Sequence, residues 1–199
     1  LLVQVCALYS YHEVKIVLVS DVGEREEWAF LASLAHACHG DDGKRLVALT
    51  DTGVLAIDML LEHELDASKT DERCEVDATT CYLVVCANAK LAKRSSVVAR
   101  IRGGRTRDTA MLVYVGSELS ELPRECNYII DLSPDGGRRL GMEHIPAVLK
   151  TCDASERAWM FDRTDVFGTL RTFTPDIMVT QETADDFARH MARVRLEDD

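Results

Sequence analysis

Two stretches decide this fold: residues 46–53, Leu-Val-Ala-Leu-Thr-Asp-Thr-Gly, and residues 100–108, Arg-Ile-Arg-Gly-Gly-Arg-Thr-Arg-Asp. The first begins with an apolar run, Leu46 to Leu49, and the second leads into another, Ala110 to Val115. Short apolar runs bounded by glycine-containing turns are typical of buried β-strands. Polar loops beside such strands hold phosphates and nucleic-acid backbones in α/β proteins, so both loops are candidate binding sites.

Apolar runs alternate with helical patterns over the first part of the chain. Val14 to Val19 and Cys81 to Cys86 are predicted strands, in addition to the two runs above. The predicted helices are Asp21 to Gly40, Thr52 to Leu65 and Lys90 to Ile101. One face of the second helix carries Val54, Ile57, Leu61 and Leu65. Strands that alternate with helices favour a parallel sheet with helices on both faces, so residues 1–116 are predicted to form an α/β domain.

Helical signals prevail after Gly116. The helices predicted there are Ile145 to Cys152, Ala154 to Phe167 and Thr180 to Arg195. Two short strands are also predicted, Tyr128 to Leu132 and Ile177 to Val179. Residues 117–199 are therefore predicted to form a mainly helical C-terminal extension. In the first domain, the polar residues Asp66 to Asp77 predict an exposed loop or hairpin.

The composition is that of a globular protein. Apolar residues make up 47% of the 199 residues and charged residues 29%, which is too apolar for a disordered chain. The run from Leu1 to Leu8 is interrupted by Gln4 and is too short to span a bilayer. We therefore expect neither a signal peptide nor a membrane segment. The chain begins with Leu1 rather than Met, which indicates a processed product or a piece of a longer chain.

Cysteine usage predicts a reducing, intracellular compartment. The seven cysteines are odd in number, irregularly spaced and without a C-x-x-C pair. Two metal sites are conceivable, but the residue spacing favours ordinary buried or helix-terminal residues in each case. One would combine a histidine with Cys74, Cys81 and Cys86. The other would combine His36 and His39 with Asp41 and Asp42.

Positive charge is concentrated in one part of an acidic chain. The formal net charge is −11, yet no acidic residue occurs between Asp77 and Asp108. We call residues 90–107 the basic segment; its cations are Lys90, Lys93, Arg94, Arg100, Arg102, Arg105 and Arg107. Such a segment on an acidic protein indicates a local polyanion site or a subunit contact, and a solvated helix face followed by a basic turn is the plainer alternative.

Both loops resemble helicase motifs in order and spacing. Thr50-Asp51, followed after a gap by Ile57-Asp58, is similar to motif V of superfamily 2 helicases, with Ala56 where that family has glycine. Residues 102–108 resemble motif VI, with Arg102 and Arg105 on its first two arginines. Asp108 stands where the third arginine is expected, and Arg107 lies one residue earlier. Residues 14–115 thus resemble the second RecA-like domain of the potyvirus-like and flavivirus-like RNA helicases.

The resemblance implies a role for each candidate residue. It places Arg102, Arg105 and Arg107 as catalytic arginines at the γ-phosphate, where a guanidinium can grip two oxygens. It places Ala56 and Asp58 at the nucleotide pocket. It implies RNA-backbone contacts for Thr50 and Asp51. We extend those contacts to four cations of the basic segment, which are Lys90, Lys93, Arg94 and Arg100.

Two functions follow as hypotheses. The chain contains no G-x-x-x-x-G-K-[ST] loop, so an NTP with Mg²⁺ is expected only when another RecA-like domain completes the site. In the first hypothesis, the chain is one RecA-like half of a viral superfamily 2 helicase or NTPase and contacts RNA. In the second, it is an inactive structural or assembly protein, for example a virus-particle component, whose partners are protein subunits. A cytoplasmic location, or one within a virus particle, fits either hypothesis.

Overall fold

The computed structural model describes residues 1–40, 43–67, 80–104, 106, 109–131, 158–162, 169–173 and 181–193. Contacts divide the chain into two compact units. The first combines Leu1–Ser117 with Thr180–Asp199, and the second is Glu118–Val179. The functional division into residues 1–116 and 117–199 stays a prediction.

The first unit contains five α-helices and six strands among its described residues. The helices are α1 (Leu2–Leu8), α2 (Asp51–Ala67), α3 (Ala89–Ala92), α4 (Ser96–Arg102) and α5 (Gln181–Arg193). The strands are β1 (Val14–Val19), β2 (Cys38–His39), β3 (Lys44–Arg45), β4 (Val47–Ala48), β5 (Cys81–Cys86) and β6 (Ala110–Tyr114). The four strands predicted for this domain are confirmed, and so are the helices that begin near Thr52 and Thr180.

Four strands form a parallel sheet in the order β4-β1-β5-β6. Strand β1 pairs with β4 on one side and β5 on the other, with Val19 opposite both Ala48 and Cys86. The chain therefore crosses β1 when it passes from β4 to β5, and this reversal creates a crevice at the carboxyl ends of β1 and β5. Strands β2 and β3 form a separate antiparallel hairpin.

Apolar side chains of the sheet alternate between two buried faces. Val17 and Val19 of β1 belong to one hydrophobic cluster, whereas Ile16 and Leu18 belong to the other. The first cluster contains the predicted α2 face, Val54, Ile57, Leu61 and Leu65, together with residues of α3 and α4. The second cluster is joined by Ala188 of α5 and by residues of α1. The prediction of an α/β fold with helices on both faces is therefore confirmed.

The prediction of a single helix from Asp21 to Gly40 is wrong. Three short 3₁₀ helices, Val22–Glu24, Ala29–Ser33 and Ala35–Ala37, occupy this region and lead into β2. Glu24 does not close a capping box, because its carboxylate accepts a 2.5 Å hydrogen bond from Ser20 Oγ. Leu34 has extended backbone angles, which end the second 3₁₀ helix.

The helix predicted from Lys90 to Ile101 is divided into α3 and α4. Ser95 is the cause, because its backbone is extended and its side chain caps α4 by accepting a 3.0 Å hydrogen bond from Val98 N. An N-cap residue of this kind stabilises a new helix start and ends the preceding turn. Gly103 ends α4, as the Gly103-Gly104 pair predicts.

The described part of the second unit contains a short 3₁₀ helix, Leu119–Glu121, and an antiparallel sheet. Its strands are β7 (Tyr128–Asp131), β8 (Ala158–Asp162) and β9 (Thr169–Phe173), and β8 is central. The strand predicted at Tyr128 is confirmed, whereas the helix predicted from Ala154 to Phe167 is wrong over Ala158–Asp162. A short apolar run does not distinguish helix from strand, and pairing with two strands decides the outcome. Two predicted elements, residues 145–152 and 177–179, lie outside the described residues.

The predicted polar loop at residues 66–77 also lies mostly outside the described residues. Its first two residues, Asp66 and Ala67, form the end of α2. Among the helices that the structure describes, none is both long and apolar enough to cross a membrane.

Candidate nucleic-acid interface

The carboxyl ends of β1, β4 and β5 meet at one edge of the sheet, which we call the carboxyl edge. Three loops follow these strands: residues 20–21, 49–50 and 87–88. Backbone hydrogen bonds hold them together, because Ser20 N donates to Ala48 O at 3.0 Å and Asn88 N donates to Val19 O at 3.1 Å. This edge is where ligands of open α/β sheets bind.

Asn88 bridges the crevice between β1 and β5. Its Nδ2 donates to Asp21 Oδ2 at 3.2 Å, while its Oδ1 accepts from the backbone amides of Lys90 and Leu91 at 2.9 and 3.0 Å. The other carboxylate oxygen of Asp21 accepts from Gly23 N at 2.9 Å. Both side chains are thus oriented by fixed partners, so the crevice loops have defined positions.

Thr50 caps the start of α2. Its Oγ1 accepts a 3.2 Å hydrogen bond from Gly53 N and lies 3.0 Å from Thr52 Oγ1. A Cβ atom on Gly53 would lie 3.2 Å from Ala48 Cα, so glycine permits the helix to start this close to β4. Thr50 and Thr52 are both exposed, which leaves their hydroxyl groups accessible at the carboxyl edge.

Asp51 joins the motif V-like loop to the basic segment. Its Oδ2 forms a close ion pair with Arg94 Nη1, and the two side chains are 58% and 64% exposed, respectively. Of the predicted nucleic-acid residues, Asp51 and Arg94 are therefore in contact beside Thr50, whereas Lys90 and Lys93 are exposed on α3 and just after it.

The side chain of Asp58, on α2, is buried against the start of α4. It is 5% exposed, and Oδ1 accepts from Ser95 Oγ at 2.6 Å. Oδ2 accepts from Ser96 N at 2.7 Å and lies 3.0 Å from Ser96 Oγ. Glu62 Oε1 is 2.5 Å from the same Ser96 hydroxyl. We call Asp58, Glu62, Ser95 and Ser96 the serine clasp; it joins residues about 35 positions apart and has no local signal in the sequence.

Ala56 and Asp58, the predicted nucleotide-pocket residues, differ sharply in accessibility. Ala56 is exposed on α2, whereas the carboxylate of Asp58 is buried in the serine clasp. A cavity beside Asp58 measures about 10 Å³, roughly the volume that one water molecule needs. That cavity is far too small for a nucleotide.

Arg100 and Arg102 lie in the last turn of α4. The chain then leads to Ala110, which begins β6 at the amino end of the parallel sheet. Arg102 therefore lies toward the edge formed by the amino ends of the strands, which we call the amino edge. Thr50 lies at the opposite, carboxyl edge. The structure does not bring these two predicted site residues together.

The motif VI-like loop is described only in part. Arg105 and Arg107 lie outside the described residues, so their predicted contacts remain predictions. Thr106 between them is 6% exposed, and its Oγ1 has no hydrogen-bond partner among the described residues. Its backbone carbonyl accepts from Ala110 N at 3.0 Å, which fixes the loop to the start of β6.

Ionisable side chains also cluster around the β2–β3 hairpin. His39 pairs with Glu64 of α2, and His36 Nε2 lies 2.9 Å from Tyr9 O. Burial lowers the pKa of His36 despite the bond to that carbonyl. Burial likewise lowers the pKa of Lys15. Within the described ranges, no group of three His, Cys, Asp or Glu side chains is arranged to hold a metal ion.

None of the described cysteines forms a disulfide. Burial raises the pKa of Cys6 to about 11 and that of Cys86 to about 12, so both are protonated at neutral pH. Cys81, one of the cysteines of the zinc hypothesis, has a pKa raised by burial. Cys38 and Cys126 are likewise not disulfide-bonded in the part of the chain that the structure describes.

Comparisons with protein-family models, curated proteins and solved structures found no significant match to this chain. The parallel four-stranded sheet with helices on both faces is consistent with Rossmann-like and RecA-like α/β domains.

Proposed function

We propose that this chain is the RecA-like half of a viral superfamily 2 RNA helicase or NTPase and contacts the RNA backbone through its carboxyl edge. One observation carries the proposal. The Asp51–Arg94 ion pair places the motif V-like loop against the basic segment, although these elements are separated by more than a strand in sequence. The motif V-like loop thus meets the part of the basic segment that precedes the motif VI-like residues 102–108.

The chemistry of this surface suits phosphate groups. Lys90, Lys93 and Arg94 provide exposed positive charges, and a guanidinium can donate two hydrogen bonds to one phosphate. When Thr52 is the donor in its contact with Thr50, Thr50 retains its own hydroxyl proton for a phosphate oxygen. On a chain of net charge −11, such a surface supports local backbone contact rather than extensive coating of RNA.

The nucleotide part of the proposal requires another domain. The chain has no G-x-x-x-x-G-K-[ST] loop, so an NTP that Arg102 contacts would be held by a partner RecA-like domain together with Mg²⁺. Arginines without a bound nucleotide have no charge to stabilise, because catalysis depends on positioning the γ-phosphate. We therefore expect no NTP hydrolysis by residues 1–199 alone.

A second candidate function is a catalytically inactive assembly protein. The serine clasp favours it, because Asp58 is occupied by Ser95 and Ser96 rather than presented to a nucleotide. Ala56 in place of glycine favours it too. In this reading, the basic segment is an interface with protein subunits, and RNA is not its ligand.

RNA binding by the full 199-residue chain separates the two candidates. Fluorescence anisotropy with a labelled single-stranded oligouridylate at low salt should show weak binding. Arg94→Ala and the double variant Lys90→Ala/Lys93→Ala should each weaken it by about tenfold, on the order of 1 to 1.5 kcal/mol for lost phosphate contacts.

Arg189→Ala is the matched control. Arg189 is 65% exposed and pairs with Asp186 on α5, so it resembles Arg94 in exposure and partner but lies outside the carboxyl edge. Its replacement should leave RNA affinity unchanged. Absence of binding by the wild-type chain, or equal losses in the Arg94 and Arg189 variants, would reject the RNA proposal and leave the assembly function.

A further inference from the structure

Ser96 lies in a distinctive sequence setting. Residues 93–97 read Lys-Arg-Ser-Ser-Val, so two cations precede Ser96 at the third and second positions and an apolar residue follows it. Basophilic serine kinases select acceptor serines by such charge patterns, which pair with acidic groups of the enzyme. Within residues 80–104, the remaining serine, Ser95, has cations directly before it but is buried.

The structure gives the two serines different roles. Ser95 is 4% exposed, donates to Asp58 and caps α4, so its hydroxyl is committed to the fold. Ser96 is exposed at the first residue of α4. Its Oγ lies 3.0 Å from Asp58 Oδ2 and 2.5 Å from Glu62 Oε1, and its single proton can serve only one carboxylate at a time.

We propose that Ser96 is a phosphorylation site whose modification opens the serine clasp. A basophilic protein kinase would transfer the γ-phosphoryl group of ATP to Ser96 Oγ. The bond between the β,γ-bridging oxygen and the γ-phosphorus breaks, a bond from phosphorus to Oγ forms, and ADP leaves. The hydroxyl proton passes to the base of the kinase. This site goes beyond the proposed RNA contact and does not depend on it.

Opening follows from the charges around Oγ. A phosphoserine carries about −1.5 to −2 charges at neutral pH. It would occupy the position between Asp58 and Glu62, where the hydroxyl now lies within 3.0 Å of both carboxylates. Repulsion between like charges at this distance is strong in a partly buried site. In the proposed opening, the first turn of α4 moves away from α2 to relieve this repulsion, and Lys93 and Arg94 move with it.

Phosphorylation of the folded chain tests the site directly. The full 199-residue protein is incubated with Mg-ATP and the catalytic subunit of a basophilic serine kinase, and phosphopeptides are located by mass spectrometry. We expect one dominant phosphate at Ser96, lost in Ser96→Ala. Ser33 is the control acceptor, because it is exposed but has no cation at the two preceding positions. Labelling of Ser33 to the same extent, or labelling of Ser96 only after denaturation, would overturn the proposal.

Hydrogen exchange tests the opening. In the phosphorylated protein, the amides of α4 that bond within the helix, such as Ala99 N to Ser95 O, should exchange at least about tenfold faster than in the unmodified protein. Amides of β1 and β5 should not change. Ser96→Ala should retain slow exchange, because Asp58 still accepts from the backbone amide at residue 96. Unchanged exchange in α4 of the phosphorylated protein would contradict the opening mechanism.

Discussion

Two carboxylates on the same helix contact the junction between α3 and α4 in opposite environments. Asp51 pairs with Arg94 in solvent, with side chains 58% and 64% exposed. Asp58, roughly two turns further along α2, is 5% exposed and accepts from Ser95 and Ser96. The first contact is screened by water and salt, whereas the second is protected from both.

This difference separates the two contacts by role. Removing the donors of a buried carboxylate, or the carboxylate itself, costs several kcal/mol of stability. An exposed ion pair contributes between zero and about 1 kcal/mol. The serine clasp therefore fixes α4 against α2. The Asp51–Arg94 pair adds little to stability and can exchange Asp51 for a phosphate.

Asp58→Ala should have the largest effect on stability. It leaves the Ser95 hydroxyl and the Ser96 amide without their acceptor, so we expect a loss of about 3 kcal/mol in the free energy of unfolding. Urea denaturation followed by circular dichroism measures this loss. Asp58→Asn keeps an acceptor oxygen and should lose clearly less. Equal losses in both variants would show that hydrogen-bond acceptance is not the stabilising element.

Ser95→Ala should rank next. It removes both a helix cap and one donor to Asp58, and we expect a loss of about 2 kcal/mol. Ser96→Ala should cost less, about 0.5 kcal/mol, because the backbone amide continues to bond Asp58. The same urea titrations rank the two serines. A larger loss at Ser96 than at Ser95 would reverse the assignment of their roles.

His36 extends the comparison to a second buried polar group. Burial lowers its pKa below the ordinary value, so the folded state favours the neutral ring. The unfolded chain therefore binds more protons, and stability should fall as pH drops below about 6.5 toward the folded pKa. His36→Gln keeps a donor for Tyr9 O and should remove this part of the pH dependence. Identical pH profiles of unfolding for the variant and the wild type would refute the assignment of this pH dependence to His36.

Arg94→Ala should have the smallest effect on stability. Its ion pair with Asp51 is exposed, so the change in unfolding free energy should be at most about 0.5 kcal/mol. Arg189→Ala should give a similarly small change, because its pair with Asp186 is equally exposed. A loss above roughly 1.5 kcal/mol at Arg94 alone would place this ion pair among the structural contacts.

Strands and core helices of the first unit were predictable because their pattern is local. Val14–Val19 and Cys81–Cys86 are continuous apolar runs, and α2 carries its apolar residues at helical spacing. The region after β1 was not predictable in the same way. Asp21 and Glu24 have capping-box spacing, but Asn88 and Ser20 bind their carboxylates in the fold. A tertiary partner, Asn88, and a neighbouring side chain, Ser20, thus take the carboxylates that the predicted cap would use.

The candidate site was predictable only in its exposed part. The basic segment and the Thr50 loop are visible in the sequence, and their contact through Arg94 agrees with a shared surface. The serine clasp was not foreseen, because nothing near Asp58 indicates a partner at Ser95. Resemblance to motif V assigned Asp58 to a nucleotide, whereas in the fold its oxygens are bound by the start of α4.

The salt dependence of RNA binding tests the central claim most directly. If Lys90, Lys93 and Arg94 each neutralise one phosphate, the logarithm of the association constant should fall against the logarithm of salt concentration with a slope of about −2, from about −0.7 per phosphate on a single strand. The triple alanine variant should lose this slope together with its affinity, while Arg189→Ala retains both. A wild-type chain with no RNA binding at low salt, or a triple variant with an unchanged slope, would contradict the account.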